Sequence, residues 1–99
     1  MPQYEMVFIV QPEMEEEPLT ALVEKISQNI SDLEGQVPQV DSWGKRRLAY
    51  AIQKHWDGFY FLMQMELPAQ AVRSLERNLK LMEDVIRYLI VRKDETVAK

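Results

Sequence analysis

The middle of the chain, residues 37–67, reads VPQVDSWGKRRLAYAIQKHWDGFYFLMQMEL. It predicts two consecutive strands, because a strand-like segment runs to a turn at residues 54–58 and alternation of apolar side chains follows. From Phe61 to Leu67 apolar residues recur at every other position, which puts them on one face of the second strand. The first strand is unusually long, and Gly44 within it indicates a bulge or a bend. This hairpin therefore predicts an antiparallel sheet.

The residues before the hairpin predict one strand and one helix. Residues 4–10 are apolar at alternate positions and also carry apolar side chains between them, so both faces of the strand need cover; the run stops at Pro12. Over residues 19–33 apolar side chains recur at intervals of three and four, which is typical of an amphipathic helix, and Gly35 ends it. The chain thus begins with a strand followed by a helix.

The residues after the hairpin predict a second helix and a fourth strand. Pro68 opens the helix, whose apolar stripe runs through residues 72–79, and residues 85–92 form the strand. The order βαββαβ predicts an α+β, ferredoxin-like fold, with a four-stranded antiparallel sheet and two helices on one face. Val40 is among the side chains expected to pack under the helices.

Length and composition exclude several functional classes. A chain of 99 residues predicts one domain at residues 1–93, followed by a short polar tail at residues 94–99. The absence of cysteine, the single histidine and the lack of any glycine-rich loop predict no metal, no cofactor, no small-molecule substrate and no catalytic residue. No apolar run is long enough to cross a bilayer and no export signal is apparent, so we expect no membrane association and a cytoplasmic location.

The sheet face opposite the helices, called the open face, is predicted to be apolar. Side chains that alternate with the core positions would point to this face. Aliphatic groups bury well against protein but stack poorly on bases, so we interpret the face as a protein-partner interface. Ordinary surface residues, or cover by the chain's own tail, are the alternative. The predicted interface residues are Val7, Ile9, Tyr60, Leu62, Leu89 and Val91.

The distribution of charge is more informative than the net charge of −4. Residues 1–44 contain nine acidic residues and one basic residue, whereas residues 45–99 contain eleven basic and seven acidic residues. The basic hairpin, defined by Lys45, Arg46, Arg47 and Lys54, is interleaved with Trp43, Tyr50 and Trp56, and the last strand adds Arg87, Arg92 and Lys93. Cations neutralise phosphate and aromatic rings stack on unpaired bases, so the mixture favours RNA, although a solvated edge would also explain it.

Two motifs resemble a known family. The run Gly44-Lys45-Arg46-Arg47-Leu48-Ala49-Tyr50, followed by Ile52, Lys54 and Gly58-Phe59-Tyr60, closely resembles the signature hairpin of the sixth protein of the bacterial ribosomal small subunit. The opening Tyr4-Glu5 and the closing Ile86-Arg87-Tyr88-Leu89-Ile90-Val91-Arg92 resemble that family's first and last strands. The likeness covers almost the whole chain. Ala51 departs from it, because the family commonly has proline there, and this predicts a looser strand bend.

The resemblance implies a non-enzymatic component of the 30S particle, in a bacterial or an organellar ribosome. It implies that the chain binds the central domain of small-subunit ribosomal RNA together with the basic eighteenth small-subunit protein. Complementary fields orient such docking, which would account for the acidic first half. By matched position, the implied RNA contacts are Tyr4, Arg46, Arg47, Tyr50, Lys54, Arg87 and Arg92; Lys45 and Lys93 join this set through their place in the basic segments.

A different class of function remains as the alternative. A small homodimeric ferredoxin-like regulatory domain would pair its open faces and bind a small anion at the basic hairpin. Such a protein would form a stable homodimer without affinity for RNA, whereas the ribosomal interpretation predicts a monomer that joins a basic protein and RNA.

Overall fold

The computed structural model describes residues 1–93. Its elements are β1 (Gln3–Val10), α1 (Glu16–Asp32), β2 (Gln36–Ile52), β3 (His55–Glu66), a short 3-10 turn (Ala69–Ala71), α2 (Val72–Lys80) and β4 (Val85–Arg92). The predicted order βαββαβ is confirmed. The polar tail predicted at residues 94–99 lies outside the described residues.

The four strands form one antiparallel sheet in the order β2-β3-β1-β4. The first strand of the chain is therefore central, and β2 and β4 are the edges. Both helices pack on the same face of the sheet, as predicted, because a single core of buried side chains joins them to β1 and β3. The opposite face carries the residues on which the functional interpretation depends.

Each helix forms because its apolar stripe is buried against the sheet. In α1 the stripe is Leu22, Ile26 and Ile30, at intervals of four residues, and the carboxylates of its first turn suit the positive end of the helix. In α2 the buried pair is Leu75 and Leu79. These two helices also meet through a side-chain hydrogen bond of 2.6 Å between two asparagines.

The core lies between the helices and the sheet, where β1 contributes Met6, Phe8 and Val10, all fully buried. The ring of Phe8 stacks on Phe61 of β3 at 5.1 Å between centroids. Val40 was expected in this core, but its side chain is 38% exposed. It lies on the edge strand β2, beyond the cover of α1, so that prediction is wrong.

The hairpin is longer and its turn tighter than predicted. β3 begins at His55, and the turn consists of Gln53 and Lys54, which both have positive φ. Gly58 lies inside β3, and glycine is required there because a Cβ would collide with the side chain of Ile9. The bulge predicted at Gly44 is confirmed by a φ of 78° and by a register shift after Ser42.

The end of the hairpin folds back over part of the open face. Leu48 of β2 packs against Ile9 and Ile86, and all three side chains are less than a tenth exposed. Ile52 and Tyr60 surround this second, smaller cluster. Burial of this kind contributes roughly 1.5–3 kcal/mol per large aliphatic side chain, so the cluster holds the basic segment of β2 against the sheet.

Candidate nucleic-acid interface

The basic hairpin presents its charges to solvent beside aromatic rings. The ammonium of Lys45 lies 5.4 Å from the centroid of Phe59, and the guanidinium of Arg47 lies 5.6 Å from that of Trp56. Arg46 donates a hydrogen bond from Nε to the carbonyl of Trp43 at 3.1 Å. Such contacts restrict long side chains without neutralising their charge. The predicted mixture of cations and rings is therefore assembled on one segment.

Arg87 of β4 joins the basic hairpin from the opposite edge of the sheet. Its Nη1 donates a hydrogen bond to the hydroxyl of Tyr50 at 2.5 Å, and its guanidinium lies 5.8 Å from the centroid of that ring. The ring of Tyr50 stays 55% exposed and can still contact a base. The back-folding around Leu48 brings these two residues together, since β2 and β4 are not neighbours in the sheet.

Arg92 and Lys93 lie at the other end of the sheet, away from the basic hairpin. Arg87 pairs with Ile9 and Arg92 with Tyr4, so at about 3.3 Å per residue they are roughly 16 Å apart along the strand. The register also sends them to opposite faces. The structure thus divides the predicted RNA-binding set: it brings Lys45, Arg46, Arg47, Tyr50, Lys54 and Arg87 to one end and leaves Arg92 and Lys93 at the other.

Lys93 is already engaged by polar neighbours. Its ammonium donates to Oε1 of Gln64 at 3.1 Å and lies 3.9 Å from a carboxylate oxygen of Glu5. The amide of Gln64 in turn donates to the same Glu5 oxygen at 3.1 Å. This cluster offsets the charge of Lys93 locally, which makes it a weaker phosphate ligand than the cations of the basic hairpin.

Tyr4 was predicted to contact RNA, but the structure buries it. Its side chain is 6% exposed and packs with the helix-side core. The cause is the period of two along β1, which gives Tyr4 the same orientation as Met6 and Phe8. In this position its ring cannot stack on a base, and we remove it from the RNA-binding set.

The open face carries an apolar row formed by Val7, Leu62 and Leu89. Val7 of the central strand pairs with Leu62 on one side and with Leu89 on the other, so the three side chains adjoin across β3, β1 and β4. Leu89 is 61% exposed, and its neighbour on the same face, Val91, is 43% exposed. These four predicted interface residues are available to a partner.

Ile9 and Tyr60 differ from the other predicted interface residues. Ile9 is 6% exposed because Leu48 covers it, which corrects its assignment as a partner contact. The chain covers this position with its own hairpin. Tyr60 is half-buried, and its ring stacks on Trp43 with 6.5 Å between centroids. Trp43 was predicted only as an aromatic of the basic hairpin, and the structure adds it to the open face.

Two carboxylates border the apolar row, and the sequence prediction placed only Glu5 of them on the open face. Asp41 of β2 pairs with Leu62, and Glu5 of β1 pairs with Val91, so both share the open face with the row. The side-chain amide of Gln39 donates to both carboxylate oxygens of Asp41 at 3.1 Å. The alternation that predicts Val7 on this face also predicts Glu5 there. Asp41 was not found, because the register of β2 shifts between Gln36 and Gln39 and the face of the residues that follow depends on that shift.

The described part of the chain offers little for catalysis or metal binding. Within residues 1–93, no group of three or more His, Asp or Glu side chains could hold a metal ion. Over the same residues no buried side-chain nitrogen or oxygen lacks a hydrogen-bond partner. Neither α1 nor α2, the helices of the described residues, is long and apolar enough to cross a membrane.

The model of the family described as ribosomal protein S6 matches residues 3–92. The chain belongs to the ribosomal protein S6 family. The S6 relative from Moorella thermoacetica, named small ribosomal subunit protein bS6, is 47% identical over 96% of this chain and 97% of its own length. The S6 relative of the same name from Desulforamulus reducens is 42% identical over 96% of this chain and its full length.

A solved S6 structure has the same fold. The crystal structure of 30S ribosomal protein S6 from Thermotoga maritima superposes with a TM-score of 0.90 at 28% identity, covering 96% of this chain and 90% of that one. The resemblance found in the sequence and the ferredoxin-like fold are therefore confirmed. As an S6 protein, the chain is a structural, non-enzymatic component of the small ribosomal subunit, where it contacts ribosomal RNA.

Proposed function

We propose that the chain binds the central domain of small-subunit ribosomal RNA jointly with the eighteenth small-subunit protein. The basic hairpin and Arg87 contact the RNA, and the apolar row binds the protein partner. One observation carries this proposal: the apolar row, bordered by carboxylates, shares the open face with Arg46 and Arg87, two cations that no carboxylate neutralises within residues 1–93. Two macromolecules of opposite charge can thus meet on one face.

The RNA contact is supported by the absence of ion-pair partners around the cations of the basic hairpin and Arg87. Within residues 1–93, no carboxylate lies within 4 Å of the charged groups of Lys45, Arg46, Arg47, Lys54 or Arg87. Phosphate contacts supply affinity but carry no sequence information. The exposed rings of Tyr50 and Trp56 add surfaces on which unpaired bases stack, so we expect recognition of folded RNA with single-stranded elements.

The protein contact is supported by the composition of the open face. Val7, Leu62 and Leu89 form an apolar centre, and Glu5 and Asp41 lie beside it. Interfaces commonly have an apolar core inside a polar rim, and complementary charge at the rim orients docking. A basic partner with an apolar stripe matches this arrangement better than a second copy of the chain, because the carboxylates of two copies would repel each other.

The test is the dependence of RNA binding on the protein partner. The isolated chain is expected to bind a central-domain RNA fragment weakly in filter-binding assays, because its net charge is −4, and tightly once the eighteenth protein is added. Tight and specific binding by the isolated chain would contradict the joint mechanism. A stable homodimer that ignores both the protein and the RNA would favour the anion-binding regulator instead.

Leu89→Asp tests the apolar row within the same assay. A carboxylate at this exposed position would have to be desolvated at the interface, and we expect partner binding to weaken at least tenfold. Val40→Asp is the matched control, because Val40 is also partly exposed but lies on the helix side of the same sheet. Equal effects from the two variants, measured by calorimetry, would contradict the assignment of the open face.

A further inference from the structure

A groove of about 310 Å³ separates the end of α2 from the tip of the hairpin. Its polar lining consists of Lys80 from α2, Gln53 from the turn and Arg87 from β4, over a floor of Leu79, Val85, Ile86 and Tyr88. No carboxylate lines it. Arg87 also lines a smaller pocket beneath the hairpin with Tyr50 and Tyr60, so the groove continues directly from the proposed RNA surface.

The outer face of α2 extends the positive charge of this groove. Arg73, Arg77 and Lys80 are spaced by four and three residues, which puts them on one side of the helix, and all three are exposed. In the described residues, no carboxylate comes within 4 Å of their charged groups. Glu83, in the turn that follows, is exposed and does not line the groove. We call these three residues and Arg87 the α2 band.

Helix electrostatics explain only part of the α2 band. Arg77 and Lys80 stand in the last turn, where cations stabilise the negative end of the helix. Arg73 stands in the first turn, where a cation opposes the positive end. In α1 the arrangement is different, because two glutamates open that helix and no basic residue closes it. Arg73 is therefore not accounted for by the dipole of its own helix, and its exposed guanidinium can contact an external anion.

We propose that the α2 band is a second phosphate-binding surface, on which the backbone of folded RNA continues from the basic hairpin around the β4 edge. This inference rests on the proposed RNA binding and adds residues to it. β4 is an edge strand, so backbone N–H groups on its outer side have no neighbouring strand and can also donate to phosphate oxygens. Glu76 stands between Arg73 and Lys80 on the outer side of α2, but the groove itself has no carboxylate in its lining. A groove lined by cations suits a polyanion, and its narrow apolar floor offers little surface to a protein.

Site-directed cleavage tests where the RNA lies. The chain has no cysteine, so Lys80→Cys provides a single attachment point for an iron chelate that generates hydroxyl radicals. In the complex with the eighteenth protein and the central-domain RNA, we expect strand cleavage from this position. Lys25→Cys on the acidic helix α1 is the matched control and should give none. Cleavage from both positions, or from neither, overturns the inference.

The salt dependence of binding tests whether Lys80 touches phosphate directly. The logarithm of affinity should fall less steeply with salt for Lys80→Gln, by about 0.7–0.9 for each phosphate that is no longer neutralised, and should be unchanged for Lys25→Gln. Normal slopes for both variants, with normal binding by the unmodified chain, overturn the α2 band and leave the proposed function intact. Absence of binding by the unmodified chain with its partner overturns both.

Discussion

The two ends of the sheet both carry basic side chains, but their neighbours differ. At the hairpin end, Arg47 lies over Trp56 and Arg87 over Tyr50, and the rings leave both charges uncompensated. At the other end, Lys93 lies between Gln64 and Glu5. Residue type alone would give all three the same role. The comparison shows that the groups around a cation decide whether it is available to an anionic ligand.

The largest effect is expected from Leu48→Ala, which removes the side chain that holds the hairpin end against the sheet. Leu48 is 4% exposed, and truncation of a buried leucine costs about 2–5 kcal/mol of the free energy of unfolding. Urea unfolding followed by tryptophan fluorescence measures it, since Trp43 and Trp56 both lie in the hairpin. Arg87 and Tyr50 should then separate, and the hairpin end would lose the contact between a cation and a ring that distinguishes it from the other end.

Leu81→Ala is the matched control for this measurement. Leu81 is 76% exposed at the end of α2, and its truncation should change stability by less than about 0.5 kcal/mol. If the two variants lost equal stability, the hairpin would not depend on the cluster around Leu48.

The next effect concerns the cations of the hairpin end. Arg46→Ala combined with Arg47→Ala should flatten the salt dependence of RNA binding by about 1.4–1.8 in the logarithmic slope, because two fewer phosphates are neutralised and fewer counterions are released. Filter binding across a salt series, with the protein partner present, measures it. An unchanged slope would show that Arg46 and Arg47 do not contact phosphate, which would contradict the assignment of the basic hairpin to the RNA surface.

The smallest effect is expected from Lys93→Gln at the other end. Lys93 already interacts with Glu5, and partly exposed ion pairs contribute about 0–1 kcal/mol, so stability should change by less than about 1 kcal/mol. The salt slope of RNA binding should stay within error of the unmodified chain. A slope lowered as much as by a hairpin arginine would show that the comparison between the two ends is wrong.

The order and type of every major element could be predicted from the sequence. Alternation in β3 and the stripe of α1 are strong signals because burial of one face imposes them directly. The same rule already contained the position of Tyr4, whose orientation follows from that of Met6 and Phe8. The family resemblance implied an RNA contact there, whereas the period of two predicts the burial that the structure shows.

Other features depend on tertiary geometry that no local pattern encodes. Ile9 is covered only because β2 folds back over the sheet, and the residues in contact are about 40 positions apart. Asp57 and Gly58 look like turn residues, yet Gly58 is required inside β3 by the close approach of Ile9. Arg87 and Arg92 share a short strand, and only the sheet register shows that Arg87 is the one at the hairpin end.

The central position of β1 also determines when the protein can fold. Its neighbours in the sheet are β3 and β4, and the pair Tyr4–Arg92 joins residues from nearly opposite ends of the chain. Closing so long a loop costs conformational entropy, and this cost is met before the contacts between β1 and β4 can stabilise the fold. A nascent chain that lacks β4 would leave one edge of its most buried strand unpaired. The ribosome that synthesises this protein must therefore nearly complete it before the molecule can join a new small subunit.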